Sequence, residues 1–101
     1  SELVKSIISS PDATFGQLRR IAQLMPTDDD ALAAIASRMA ELAQKRTERE
    51  DAELLACRAD AKSGDKKDVI RRLEKLSTGA AMPQVRREAA QLIAKLKDSS
   101  K

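Results

Sequence analysis

Pro83-Gln84-Val85-Arg86-Arg87-Glu88-Ala89-Ala90-Gln91-Leu92-Ile93-Ala94-Lys95-Leu96-Lys97 is the stretch whose reading decides the fold class. Val85, Ala89, Leu92, Ile93 and Leu96 recur at intervals of three and four residues. That spacing lines up one face of an α-helix and scatters across both faces of a strand. Pro83 fits the first turn, where a missing amide hydrogen costs nothing. Upstream, Val69, Ile70, Leu73 and Leu76 repeat the pattern. Asp65 opens that helix as its cap, and Ser77-Thr78-Gly79 closes it.

The same punctuation runs back to the N-terminus. Leu3, Val4, Ile7 and Ile8 predict a short helix over residues 2–9, ended by Ser9-Ser10-Pro11-Asp12. Thr14-Phe15-Gly16-Gln17 reads as a capping box, in which threonine and glutamine satisfy orphan amides reciprocally. The helix it opens carries Phe15, Leu18, Ile21, Ala22 and Met25 on one face and stops at Pro26. Thr27 is a suitable N-cap for a third helix. Asp28, Asp29 and Asp30 then fall in its first turn, where the dipole favours anions. Leu32, Ile35, Ala36, Met39, Leu42 and Ala43 form its stripe. The polar run Lys45–Asp51 leaves two readings: one long helix over 28–62, or a break near Thr47 with Thr47–Glu50 as a second capping box. The break is preferred, because the apolar pattern runs into Arg46 and Arg49. Leu54, Leu55, Cys57 and Ala61 then lead to a C-cap at Ser63-Gly64.

The expectation is an all-α fold of five or six short antiparallel helices, as a compact bundle or a stack of helical hairpins. Composition agrees. Of 101 residues, 42% are hydrophobic, but 17 of those are alanine and only Phe15 is aromatic. Alanine, leucine, glutamate, lysine and arginine favour helix, whereas strands draw on aromatic and β-branched residues. The length fits one domain over 1–97 with a disordered tail over 98–101.

Gly64-Asp65-Lys66-Lys67-Asp68-Val69, followed by Leu73 and Leu76, resembles the second helix of a tetratricopeptide repeat. The helix before it carries Glu53 and Asp60 where that repeat has bulky side chains. Pro83-Gln84-Val85-Arg86-Arg87-Glu88-Ala89-Ala90 is similar to the second helix of a HEAT repeat. Ala89, Leu92, Ile93, Leu96 and Lys97 also resemble the last helix of the N-terminal domain of transcription elongation factors, with Leu96 in place of that family's tryptophan. These resemblances imply a helical scaffold that binds other macromolecules.

Histidine, tyrosine and tryptophan are absent. The commonest general base and metal ligand is therefore missing. Cys57 lacks a histidine to activate it and reads as a small buried apolar residue. No glycine-rich phosphate loop and no calcium-loop pattern occurs. A non-enzymatic module is expected, with no catalytic residue, cofactor, metal or small-molecule substrate. Ser1-Glu2-Leu3 lacks the basic start of a secretory signal, and no run approaches a membrane span. An intracellular setting, cytoplasm or nucleus, and no membrane partner are therefore expected. The missing initiator methionine fits a processed chain or a domain of a longer protein.

Charge points to a partner. Residues 1–51 hold seven Lys/Arg and nine Asp/Glu, a net −2; residues 52–101 hold twelve and seven, a net +5. Lys67, Arg71 and Lys75 stand at i, i+4 and i+8, forming one ridge. Like charges so placed repel by about 0.2–0.5 kcal/mol per pair, and only Asp68, set to pair with Arg72, and Glu74 offer relief. Arg86 and Arg87 open the following helix at its positive dipole end. These five residues are the candidate partner-binding set. The expected partner is another protein presenting an acidic surface or peptide. Nucleic acid is the alternative, with phosphates on the basic half. The would-be recognition helix of a helix-turn-helix starts with three aspartates, which phosphates would repel.

Overall fold

In the computed structural model, residues 2–25 and 31–99 are described, with side chains for all of these except 2–4, 63 and 99. They form six helices: α1 (Glu2–Ser9), α2 (Phe15–Leu24), α3 (Ala31–Leu42), α4 (Arg46–Ser63), α5 (Lys66–Gly79) and α6 (Pro83–Ser99). Among the described residues no strand occurs. The helices pack as a compact bundle with a Cα radius of gyration of 13.4 Å, close to the ~13 Å of a folded chain of this length.

Local chemistry places most of the ends where the sequence reading puts them. The Thr14 hydroxyl accepts from the Gln17 amide at 3.2 Å, and the Gln17 side chain accepts from the Thr14 amide at 3.1 Å. Asp65 caps α5 by accepting from the Lys67 amide at 3.0 Å. The Gly64 amide closes α4 on the Asp60 carbonyl at 2.7 Å, and a Cβ on Gly64 would lie 2.9 Å from that oxygen. Glycine is needed there for space, since its φ of −98° suits any residue. The cap assigned to Thr27 and Asp28–Asp30 lies outside the described residues.

Two expectations change. The polar run does contain a break, but it spans residues 43–45, ahead of Thr47. Glu48 rather than Glu50 serves the new helix start, accepting from the amides of Gln44 (2.9 Å) and Lys45 (3.2 Å). At the C-terminus α6 continues to Ser99, so residues 98 and 99 are helical where the sequence suggests tail.

The core has two clusters that meet on α4. Leu54 and Cys57 of α4 join Val69, Leu73 and Leu76 of α5, Ala80, and Val85, Ala89 and Leu96 of α6. Ala52 and Leu55, with Ala56 and Ala59 packed beside them, join Leu18 of α2 and Leu32, Ile35, Ala36 and Met39 of α3. One helix therefore forms a wall of both clusters. Its second apolar face is mostly alanine, which lets α3 come close.

Candidate interaction surface

Burying Val69, Leu73 and Leu76 turns the opposite side of α5 outward. Lys67, Arg71 and Lys75 are all exposed on it, as their spacing predicts. The expected pairing of Asp68 with Arg72 is present, but Asp68 approaches Arg71 more closely. Asp68 bonds Arg71 at 2.7 Å and stands 3.8 Å from Arg72. The Arg71 guanidinium holds the Asp68 carboxyl below the usual aspartate range. Lys67 and Lys75 make no ion pair among the described residues.

Arg72 instead reaches across to α4. Its Nε donates to Glu53 at 2.8 Å and its Nη1 to Asp60 at 2.9 Å. These bonds, the one to Asp60 foremost, raise its pKa further above the ordinary arginine value. The two acidic residues that depart from the tetratricopeptide pattern thus anchor α5 to α4. Cys57 lies beneath them, fully buried, its thiol donating to Glu53 at 3.5 Å. Burial pushes that thiol up to about 12, so almost no thiolate exists at neutral pH and the residue is unreactive.

The last two candidates separate. Arg86 folds back over the end of α5, donating to the carbonyls of Ala80 (2.7 Å) and Ala81 (3.4 Å). From α4, Arg46 donates to the Gly79 carbonyl, and Glu50 accepts from the Ala81 amide at 2.9 Å. Three charged side chains thus satisfy backbone groups at the α5–α6 corner, and Arg86 serves the fold rather than the open surface. Arg87 remains exposed.

Sequence reasoning missed the grooves. Between α4 and α6 lies one of about 520 Å³, floored by Ala61, Leu92 and Leu96 and rimmed by Arg58, Lys62 and Lys95. Another, of about 490 Å³, has alanines of α3 and α4 as its floor and the Arg72–Glu53–Asp60 network at its side. A third, of about 400 Å³, lies between α1 and α2 beside Leu24, which is 80% exposed; Leu54 and Leu55 are buried. Lys62 follows Arg58 by one turn, a visible signal, but Lys95 joins them only through the packing of α4 on α6. Among the described residues no group of three or more acidic or cysteine side chains is placed to hold a metal ion, and no helix is long and apolar enough to cross a membrane.

A cavity of about 100 Å³ where α2, α4 and α6 meet contains the Arg19–Asp51 pair, 3.2 Å apart. Burial pushes the Asp51 carboxyl up, outweighing the lowering effect of Arg19. A raised folded value means that stability is fully present below the unfolded value and is lost as pH rises through the folded one. Asp68, lowered by Arg71, and Glu48, lowered by the Gln44 amide, act in the opposite sense. Their contribution is present above the unfolded value and lost as pH falls through the folded one. In a carboxyl-detected NMR titration Asp51 is expected to protonate first on acidification and Asp68 after it. Asp51→Asn should hold or raise the melting temperature at neutral pH. A sharp fall would mean that the pair with Arg19 outweighs desolvation.

Compared with protein-family models, curated proteins and solved structures, the chain matches none.

Proposed function

We propose that this chain is a non-enzymatic helical module, a scaffold or adaptor, that binds another protein through the basic outer side of α5. The observation that carries this reading is the Lys67–Arg71–Lys75 ridge, where Lys67 and Lys75 stand exposed with no counter-ion among the described residues. Arg71 pairs with Asp68, but the fold gains nothing from two further like charges one turn to either side of it. An acidic protein surface does gain from them, chiefly in association rate and register. Arg87 extends the exposed set and Arg86 leaves it. A protein partner is favoured over single-stranded nucleic acid because stacking platforms need exposed aromatics. The sole aromatic residue, Phe15, is half-buried against the α1–α4 cluster.

The test is Lys67→Gln, Arg71→Gln and Lys75→Gln together. The helical circular dichroism spectrum and melting temperature should stay close to the parent's, because each side chain is exposed and the relieved repulsion offsets the lost surface pair of Arg71 with Asp68. Binding to the partner should weaken and its salt dependence flatten. Adding Arg87→Gln should deepen the loss. An unchanged salt slope would make the ridge ordinary solvated surface. Titration with duplex and single-stranded nucleic acid at two salt concentrations separates the alternative, since phosphate-driven affinity drops steeply with salt.

A further inference from the structure

We infer that the groove between α4 and α6 receives an acidic amphipathic segment of a partner protein, with apolar side chains on its floor and carboxylates against its rim. The inference rests on the reading of the chain as a protein-binding module, but not on the α5 ridge, since no α5 residue lines the groove. The floor is apolar and open: Ala61 and Leu92 pack on the α4–α5–α6 core yet stay partly exposed above it. The rim is basic. Glu88 is its one acidic residue, and Arg58 faces it at 3.9 Å. Lys62 of α4 and Lys95 of α6 both line it, exposed and without an ion pair among the described residues. An occupant that is apolar on one side and carboxylate-bearing on its flanks complements both features at once. This is the helix-in-groove mode of peptide recognition. The groove at α3, α4 and α5 lacks such complementarity, because its lining sets two carboxylates, Glu53 and Asp60, against two arginines, Arg49 and Arg72, and the carboxylates already hold Arg72.

The test uses a short labelled helical peptide with two leucines one turn apart and glutamates on either side. Its controls are the same peptide with lysines for the glutamates and with alanines for the leucines. Fluorescence anisotropy on the intact chain should show binding by the Leu/Glu peptide alone. Lys62→Glu with Lys95→Glu should weaken it about tenfold, two surface pairs being reversed. The Lys67→Gln, Arg71→Gln, Lys75→Gln variant should bind the peptide as the parent does. Both rim positions are exposed, so a spectrum matching the parent verifies that the variant is folded. The inference is overturned if the peptide does not bind, if the lysine control binds equally, or if the rim variant loses nothing. It is also overturned if single-stranded nucleic acid, or a second copy of the chain seen by sedimentation, occupies the groove in a manner that Lys62→Glu and Lys95→Glu abolish. Failure here with ridge-dependent partner binding intact would leave the proposed function standing.

Discussion

Leu73→Ala is expected to lower the unfolding free energy by about 2–5 kcal/mol, toward the upper part of that range. Leu73 is fully buried between α4, α5 and α6. Its neighbours Cys57 and Ala89 are small and also fully buried, so they have no length with which to reach into a vacated space. The cavity therefore persists, and its cost adds to the lost transfer energy. Small domains have only about 5–15 kcal/mol in total, so this change brings the chain close to unfolding. Urea denaturation should show a lower midpoint at an unchanged slope. A loss under about 1 kcal/mol would mean that the cluster re-packs. Ile93, equal to Leu73 on the sequence stripe, is only partly buried, and Ile93→Ala should cost less.

Arg72→Met is the second large effect, at about 1.5–3 kcal/mol. The guanidinium makes two charge-assisted bonds to α4, and bonds of that kind contribute more than neutral ones. Its side chain is 24% exposed, while those of Glu53 and Asp60 are 42% and 43% exposed. Once the arginine is gone both carboxylates can rehydrate, so the loss stays below that of a fully buried pair. Arg72→Lys should recover only part of it, because an ammonium lacks the planar fork that spans two carboxylates. A double-mutant cycle with Glu53→Gln isolates the pair. A coupling energy near zero would reduce the network to surface decoration.

These two residues also mark what the sequence makes legible. Leu73 lies in a one-sided stripe; α2 and α5 are readable down to their caps, and α6 at its start. The exposure of Lys67, Arg71 and Lys75 follows from the same periodicity. Arg72 sits beside them in sequence, but its partners lie 12 and 19 residues back. Only the packing of α5 on α4 reveals that it is matched and Arg71 less so. The spacing puts Arg86 on the surface, but its partners are backbone carbonyls at a corner, groups that no side-chain pattern announces. The start of α4 is hidden for a related reason. Glu48 and Glu50 offer equal capping chemistry, and what separates them is where α3 stops. The α4–α6 groove needs two helices that are not consecutive, and spacing along the chain is silent about such pairs.

The position of α4 as a wall of two clusters bears on how this sequence can change over evolutionary time. A helix packed on one side can trade residues on its open side freely, and the outer side of α5 has that latitude. On α4, Ala52 is 2% exposed toward α3 while Leu54 and Cys57 are buried toward α5 and α6. Added volume at Ala52 has nowhere to expand. It moves the helix axis, and the movement arrives at the far face as misfit against Leu73. A replacement at the buried positions Ala52, Leu54, Leu55 or Cys57 must therefore satisfy two interiors at once. A helix with only four buried apolar side chains thus has all four held from both sides.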